Sequence, residues 1–458
     1  MDIRRILVAN RGEIAARIIR TCRKLGIETV LAASEADRDS IPARLADRTV
    51  CIGPSRPSES YLRVETIVQA ALGVRADAIH PGYGFLSERA ALARLCEQHS
   101  VIFIGPTAAQ IDAVGDKLRA RSEAQAANVA VVPGGAVESG EAALSLARQI
   151  GTPILVKAVG GGGGRGMKLV DRLEDLPHAI ELAAAEAGAA FGDARVYLER
   201  FVTRGRHVEV QVLGDGHGGV IHLGERDCSV QRRYQKLLEE SPAPGLADEF
   251  RQQLHEAAVR FAKRLAYRGA GTVEFLVDTH TDQFYFLEMN ARIQVEHPVT
   301  EALTGVDLVA EQIAIASGAG IRLTQSDIRA QGWAMECRIN AEDPGRDFQP
   351  SPGVVRAVTW PAGPGIRVDT HIAAGSRVPP FYDSLLAKLI AYGPTRAQAL
   401  QRLQEAVAAS RVEGVRTNLA FHAAVLKDPE FQAGAVDTGF LARLLERSPV
   451  QMETGIRG

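Results

Sequence analysis

The polar residues between Phe284 and His297 have the types and spacing that could do chemistry. They recur at every second position, as Glu288, Asn290, Arg292, Gln294 and Glu296. In an extended chain such residues share one face, which would present the carboxylates, amides and guanidinium together. A solvated edge strand would also be polar, but it would not require these groups in this order. The run therefore predicts a site rather than a surface strand.

Glu274 lies on the strand predicted to neighbour this run. With Glu288 and Asn290 it forms an all-oxygen ligand set, which Mg²⁺ prefers and shares with substrate phosphates. A metal held there would bridge phosphate oxygens and offset the charge that develops in phosphoryl transfer. Lys117 and Lys157 are the predicted counter-charges for the phosphates, since lysine is cationic at neutral pH.

Five consecutive glycines, 160–164, lie between two short apolar runs, with Lys157 before them and Arg165 and Lys168 after them. Glycines cost backbone entropy and pack nothing, so a chain keeps them where the backbone must approach a ligand closely or move. The next residues, 167–170, predict a strand, whereas a Rossmann turn needs a helix there and a P-loop needs Gly-Lys-Ser/Thr. We expect a glycine hairpin that acts as a lid over a nucleotide. A flexible linker is disfavoured because linkers are not usually framed by strands and three cations.

The elements that must position these groups alternate between strand and helix in the first hundred residues, which predicts a parallel α/β sheet. Ligands bind beyond the carboxyl ends of such strands. Asn10-Arg11 and the HPGYG segment, 80–84, fall at such ends, although each alone could be a simple turn. The predicted strands are 6–9, 27–33, 50–52, 78–80, 101–104, 207–213, 220–223, 272–277, 284–289, 333–339, 354–358 and 384–392. The predicted helices are 14–25, 61–72, 88–99, 117–127, 305–317, 396–409 and 418–426.

The composition excludes several classes of protein. The chain of 458 residues allows two to four domains of roughly 100–200 residues each. A formal net charge of −2 gives no attraction to nucleic acid or to an anionic membrane, and no apolar run approaches the roughly 18 residues of a membrane span. The five cysteines are scattered without C-x-x-C, which argues against disulfides or zinc. We expect a cytoplasmic protein that binds neither nucleic acid nor membrane.

Six segments in order and spacing carry a resemblance to a known family. They are HPGYGFLSE, GDK, the glycine hairpin, ERDCSVQRRYQK, EMNARIQVEHPVTE and ECRINAEDP. By pattern alone, the charged segments 225–236 and 335–343 would more often be salt-bridged surfaces than sites. Together the six resemble biotin carboxylase, the ATP-grasp component of biotin-dependent acyl-CoA and pyruvate carboxylases, over nearly the whole chain.

The resemblance implies an α/β and α+β multidomain fold. A Rossmann-like N-terminal domain would span 1–113 and a C-terminal domain 319–447, with a tail at 448–458. Between them an ATP-grasp domain would span 114–318, with a lid subdomain at about 131–203. The implied reaction is carboxylation of biotin with ATP and bicarbonate through carboxyphosphate, with two Mg²⁺ or Mn²⁺ sites.

The resemblance also implies the site residues. ATP would contact Lys117, Lys157, Gly163, Gly164, Glu199, Arg200, Phe201, Val202, His207, Gln231, Tyr234, Glu274, Leu276 and Glu288, and the metal Glu274, Glu288 and Asn290. Bicarbonate would contact Lys236, Arg292, Gln294 and the Val295 backbone, with Glu296 as its base. Biotin would lie near Tyr83 and Gly84, and Arg338 would stabilise its enolate. The catalytic set is then Lys236, Arg292, Glu296 and Arg338. Tyr234 stands where many members have histidine or asparagine.

The only Met-Lys pair, 167–168, lies in the glycine hairpin rather than in a Met-Lys-Met biotinylation motif. We therefore expect biotin on a separate biotin carboxyl carrier protein, a carboxyltransferase subunit as a further partner, and a homodimer. The alternatives are an ATP-grasp carboxylate–amine ligase and a non-catalytic nucleotide-binding subunit. An amine ligase has no need of Arg338, Lys236 and the run from Arg292 to Glu296, and a non-catalytic subunit has no need of intact metal and phosphate ligands.

Overall fold

The computed structural model describes residues 2–137, 139–160 and 167–447, and its first part is a parallel sheet with helices on both faces. The strands are β1 (Arg5–Val8), β2 (Glu28–Ala33), β3 (Arg48–Cys51), β4 (Ala78–His80) and β5 (Ile102–Phe103). The helices are α1 (Gly12–Lys24), α2 (Ile41–Leu45), α3 (Val64–Gly73), α4 (Ala90–Gln98), α5 (Ala108–Gly115) and α6 (Lys117–Ala126). The strand order is β3-β2-β1-β4-β5. Leu7, Val30 and Ile79 have no exposed surface, as expected for a sheet covered on both faces. The predicted α/β layer is confirmed.

The turns that follow β1 and β4 meet at one edge of this sheet. The Asn10 side-chain amide donates to the carbonyls of Pro81 and Tyr83, each at 2.7 Å. The Ala9 amide donates to the His80 carbonyl at 3.0 Å. Asn10 thereby ties the HPGYG turn to the end of β1 and fixes the position of Tyr83.

A second sheet carries the strands that frame the glycine run. Its elements are β6 (Gly134–Ala136), α7 (Gly140–Ile150), β7 (Ile154–Ala158), β8 (Met167–Val170), α8 (Leu176–Phe191) and β9 (Val196–Arg200). The strand order is β6-β9-β7-β8, and β7 runs antiparallel to β8 with Lys157 opposite Met167. Both framing strands are therefore present, while Gly163 and Gly164 lie outside the described residues.

The largest sheet is mainly antiparallel and extends across the boundary predicted at 318/319. Its strands are β10 (Gly205–Asp215), β11 (Val220–Arg232), β12 (Gln235–Ser241), β13 (Arg268–Asp278), β14 (Gln283–Asn290), β15 (Trp333–Asn340), β20 (Ile366–Thr370) and β22 (Leu385–Gly393). They are ordered β14-β13-β10-β11-β12-β15-β22-β20. One continuous sheet can therefore position side chains from the central and C-terminal parts of the chain together.

Helices and short two-stranded ladders surround this sheet. The helices are α9 (Asp248–Arg264), α10 (His297–Thr304), α11 (Leu308–Ala316), α12 (Arg396–Ala409), α13 (Leu419–Val425), α14 (Pro429–Gln432) and α15 (Phe440–Arg447). The ladders pair β16 (Glu342–Asp343) with β17 (Gln349–Pro350), β18 (Gly353–Val354) with β21 (Arg377–Val378), and β19 (Ala357–Thr359) with β23 (Arg411–Glu413). In the part of the chain that the structure describes, no helix is long and apolar enough to cross a membrane.

Three strand predictions were wrong in extent. The strand predicted at 220–223 is only the start of β11, which continues to Arg232. The extended run assumed to reach Glu296 ends with β14 at Asn290, and a non-helical segment leads into α10. Pro298 lies in the first turn of α10, where its fixed φ favours the start of a helix. The strand predicted at 354–358 is two strands, because the backbone changes partner from β21 to β23 there.

Candidate active site

A cavity of about 1760 Å³ lies where the three sheets meet. Its lining includes every described residue of the predicted ATP, metal, bicarbonate and biotin sets except one. The exception is Glu296, which has no exposed surface and lies directly behind the lining. It is held there by Lys236 and Arg338, which do line the cavity.

Two ammonium groups mark the phosphate end of the cavity. Lys157, on β7, donates to Glu199 on β9 at 2.5 Å, and Arg121 donates to the other oxygen of that carboxylate. Burial would lower the pKa of Lys157, but the charge and hydrogen bond of Glu199, with Tyr197 and Glu288, together outweigh burial and raise it. Burial lowers the pKa of Lys117; the Glu288 charge opposes this shift and Lys157 adds to it. Two cations that face the same carboxylates can hold a polyphosphate.

The predicted metal ligands come from the hairpin of β13 and β14. Glu274 and Glu288 are direct partners in the register, and the Asn290 amide donates to Glu274 at 2.6 Å. Burial would raise the pKa of Glu274, but Lys236 and His207 outweigh burial and lower it. Glu288 is half-buried and has no hydrogen bond or ion pair with another described residue. An ionised carboxylate, a second carboxylate without a partner and an amide oxygen fit Mg²⁺.

A second set of possible ligands lies beside the first. Ligand atoms of His207, Glu209 and Glu274 are all within 4.8 Å of one another. The Lys236 ammonium already lies 2.5 Å from Glu209 and 2.9 Å from Glu274. Glu274 is common to both sets, so the comparison depends on the other carboxylate. Glu209 is already paired with Lys236, whereas the Glu288 side chain has no ion pair among the described residues, so the set that includes Glu288 fits a metal better.

Lys236 joins the metal-type carboxylates to the predicted base. Besides Glu209 and Glu274, its ammonium donates to Glu296 at 2.8 Å. Burial would lower the pKa of Lys236, but the surrounding carboxylates outweigh burial and raise it well above its usual value. The side chain is therefore a fixed cation at the centre of the cavity.

Arg292 and Gln294 reach the same place from the turns that follow β14. Arg292 donates to Gln294 at 2.6 Å, to Asn290 at 2.9 Å and to Glu88 at 2.8 Å. The Gln294 amide donates to Glu274 at 3.0 Å. The polar residues at two-residue spacing therefore meet at one place in the cavity, although only Glu288 and Asn290 lie on a strand.

Glu296 is shared between two cations. Its other oxygen accepts from Arg338 at 2.8 Å, and Arg338 also donates to Glu239 at 2.6 Å. Burial would raise the pKa of Glu296, but Lys236 and Arg338 outweigh burial and hold it well below the usual range. The carboxylate is therefore ionised but weakly basic as it stands, and it can act as a base only when a bound substrate weakens its pairing with these cations.

Tyr83 and Gly84 line the opposite side of the cavity. The Tyr83 hydroxyl donates to Glu13 on α1, and burial, followed by the Glu13 charge, raises the pKa of the phenol well above its usual value. Gly84 is exposed and has φ of 67°, which favours glycine. The Tyr83 phenol therefore stays protonated, and its one hydroxyl proton is already donated to Glu13.

Tyr234 occupies the tip of the hairpin between β11 and β12. Arg233 and Tyr234 form a two-residue turn with φ of 48° and 65°, as hairpin turns of this length require. The Tyr234 ring is 54% exposed at the cavity rim. The Tyr234 hydroxyl has no hydrogen bond to another described residue. The side chain is therefore free to contact a nucleotide in the cavity.

The two charged segments are part of the interior rather than solvated faces. Arg226 has no exposed surface and donates to Glu209 at 2.6 Å. Sequence reasoning missed Glu88, Glu209 and Glu239 as ion-pair partners of Arg292, Lys236 and Arg338. The signal for Glu209 was its place in an alternating strand beside His207.

Comparisons with known proteins agree with this geometry. Family models match residues 2–111 (biotin carboxylase, N-terminal domain), 116–324 (carbamoyl-phosphate synthase L chain, ATP binding domain) and 336–443 (biotin carboxylase C-terminal domain). The biotin carboxylase of Nostoc sp. is 50% identical over 446 residues, which cover 97% of this chain and 100% of the relative. Biotin carboxylase 1 of Bacillus subtilis is 51% identical over 441 residues, 96% and 98% of the two chains.

Solved structures give the same result. The biotin carboxylase domain dimer of Hydrogenobacter thermophilus 2-oxoglutarate carboxylase, in complex with MgADP, ADP and bicarbonate, has a TM-score of 0.95 at 44% identity and full coverage of both chains. The biotin carboxylase–β,γ-ATP complex from Campylobacter jejuni has a TM-score of 0.94 at 44% identity, covering 96% of this chain and 99% of that one.

Proposed function

This chain belongs to the biotin carboxylase family, and from that premise we propose how it carries out the ATP-dependent carboxylation of biotin by bicarbonate. The enzyme is a ligase that forms a carbon–nitrogen bond through carboxyphosphate. The observation that carries the assignment of roles is the position of Glu296, shared between Lys236 and Arg338 beside the metal-type carboxylates. The alternative of a carboxylate–amine ligase is not supported, since the curated relatives are biotin carboxylases.

ATP binds with its phosphates toward Lys117 and Lys157 and its adenine along residues 199–202, under the lid. Glu274, Glu288 and Asn290 would hold Mg²⁺ or Mn²⁺, which supplies positive charge against the transferring phosphoryl group. The lid excludes water, which would otherwise hydrolyse carboxyphosphate.

Bicarbonate binds between Lys236 and Arg292, with Gln294 and the Val295 amide as further contacts. Arg292 is planar and can hold the anion with two parallel hydrogen bonds. The entering anion competes with Glu296 for the Lys236 ammonium. Weaker pairing raises the basicity of Glu296, which then removes the bicarbonate proton so that the oxygen can attack ATP.

Biotin enters past Tyr83 and Gly84 and meets Arg338. Carboxyphosphate releases CO₂ and phosphate, and the phosphate takes the proton from the biotin ureido nitrogen. This leaves negative charge on the ureido oxygen, and the nitrogen then takes up the CO₂. The Arg338 guanidinium, already oriented by Glu239 and Glu296, is a fixed cation for that charge, worth about 3–4 kcal/mol if it acts like other oxyanion donors.

The biotin is presented by a separate biotin carboxyl carrier protein, and a carboxyltransferase subunit uses the product. A homodimer is supported by the dimer described for the Hydrogenobacter thermophilus relative, and a cytoplasmic location by the scattered, unpaired cysteines. We retain the division into domains at 1–113, 114–318 and 319–447.

The test is release of ADP from MgATP and bicarbonate, measured with and without free biotin. We expect biotin to stimulate ADP release in the purified chain. Stimulation by amines but not by biotin would contradict the proposal, and so would nucleotide binding without any ATP cleavage.

A further inference from the structure

Lys388 is a buried charge in the middle of an apolar strand. It is the one charged residue in β22, LLAKLIAYG, and its side chain has no exposed surface. Taking an ammonium out of water costs several kcal/mol unless its partners compensate. What Lys388 contacts therefore indicates why it is there.

The Lys388 ammonium makes one hydrogen bond and two ion pairs. It donates to the backbone carbonyl of Val295 at 2.9 Å. It lies 3.1 Å from Glu13 on α1 and 3.9 Å from Asp369 on β20. Its partners thus come from the N-terminal sheet, the bicarbonate segment and the C-terminal part of the large sheet.

The sheet register relates Lys388 to the predicted catalytic machinery. Its direct partner on the neighbouring strand β15 is Arg338, and directly opposed residues of an antiparallel pair point to the same face. Arg338 holds the Glu296 carboxylate, while Lys388 holds the Val295 carbonyl. Arg338 and Lys388, which are neighbours across two strands, therefore bind the Glu296 side chain and the backbone of the preceding residue, Val295.

The Val295 carbonyl belongs to the peptide unit that leads into Glu296. The preceding carbonyl, of Gln294, lies 2.7 Å from the His297 ring nitrogen Nδ1. The segment has no strand partner there, since β14 has ended at Asn290. Its backbone is held by side chains and by two long turn hydrogen bonds, from the His297 amide to the Gln294 carbonyl and from the Val299 amide to the Glu296 carbonyl, each at 3.3 Å. Lys388 adds a charged hydrogen bond, which is stronger than a neutral one.

We propose that Lys388 is a positioning residue for the reaction, which fixes the Val295–Glu296 peptide so that the Glu296 carboxylate stays between Lys236 and Arg338. The proposal rests on the function proposed above for that site. The competing explanation is that Lys388 only neutralises Glu13 and holds the N-terminal sheet to the large sheet.

A charge-balanced pair of variants separates these explanations. Lys388→Met removes the ammonium and leaves Glu13 without its partner, so it is combined with Glu13→Gln. The glutamine oxygen can still accept from Tyr83. Glu13→Gln alone is the matched control, because it keeps the ammonium on the Val295 carbonyl. Bicarbonate affinity is measured from the ¹³C line width of labelled bicarbonate with MgADP present, and KM and kcat from ADP release with biotin.

We expect the double variant to melt within about 5 °C of Glu13→Gln and to bind ATP within about twofold of it. Its kcat should fall by about 10- to 100-fold relative to Glu13→Gln, as for a misplacement of the reacting groups by about 1 Å. Its bicarbonate affinity should fall as well, because the Val295 amide is one of the proposed contacts of the anion. Bicarbonate affinity equal to that of Glu13→Gln would overturn the proposal. Failure of the double variant to fold would assign Lys388 to stability and would also overturn it. The proposed function is tested separately, by biotin stimulation of ADP release in the wild type. Bicarbonate binding can be measured without turnover, so the two proposals can fail independently.

Discussion

Replacement of Glu296 by glutamine should remove the base but leave the site assembled. Glutamine keeps one oxygen, which can accept from Lys236 or from Arg338 but not from both, because the two cations donate to different oxygens of Glu296. Lys236 retains Glu209 and Glu274 as ion-pair partners, and Arg338 retains Glu239, because these contacts do not involve residue 296. Neither cation is left unpaired, so the loss of about 3–5 kcal/mol that follows a stranded buried charge should not occur.

The expected loss in turnover follows from the role of the carboxylate. A positioned general base contributes about 100- to 10,000-fold, which corresponds to about 3–5 kcal/mol of activation free energy. We expect this loss in kcat for biotin-dependent ADP release. The melting temperature should fall by about 5 °C or less, and the affinity for ATP should not change, since Glu296 lies behind the cavity lining.

Glu239→Gln is the matched control. It replaces the other carboxyl group that contacts the same arginine, at 2.6 Å and with no exposed surface, but it removes no proton acceptor for bicarbonate. Its loss in kcat should stay below about tenfold. The assigned role would be refuted if Glu296→Gln lost no more kcat than this control, or if it lost affinity for ATP.

Three further predictions concern other parts of the molecule. Glu288→Gln should raise the Mg²⁺ concentration needed for half-maximal ATP cleavage by about tenfold or more, without a change in melting temperature; an unchanged requirement would remove Glu288 from the metal site. Arg338→Ala should keep some bicarbonate-dependent ATP cleavage and lose about 100-fold or more of its carboxybiotin yield, whereas an unchanged yield would contradict its role. Burial would raise the pKa of Glu225, but the hydrogen bond and charge of His255, with Arg251, outweigh burial and lower it to about 2. A lowered carboxyl pKa stabilises the fold at neutral pH, and this contribution is lost as pH falls from about 4.5 toward 2. Glu225→Gln should therefore melt below the wild type at pH 7, and this gap should narrow as the pH falls from about 4.5 toward 2. A gap that stays equal over that range would be the contrary result.

Local patterns predicted those elements whose pairing is itself local. The hairpin of β13 and β14 places Glu274 opposite Glu288, as expected from two strands joined by a short turn. The helix predicted at 396–409 has those bounds. In both cases the hydrophobic periodicity and the adjacent turn or cap indicate the same element. The position of that element therefore depends little on contacts with the rest of the chain.

Contacts between distant elements were beyond such patterns. Two of the three carboxylates around Lys236 come from β10 and β13, and the third precedes α10, so their meeting depends on the order of strands in the sheet. The extended run to Glu296 was wrong because two-residue spacing of polar groups cannot reveal that α10 starts at His297. The lone charge at Lys388 in an apolar strand was a visible signal, but its partner Val295 is 93 residues away.

The most direct test of the proposed function is transfer of label from ¹⁴C-bicarbonate to biotin. The purified chain is incubated with MgATP and free biotin, and acid-labile carboxybiotin is counted beside ADP. We expect labelled carboxybiotin to form only when ATP and biotin are both present, and Glu296→Gln to abolish it. ADP release without any label on biotin would contradict the assignment of this site to biotin carboxylation.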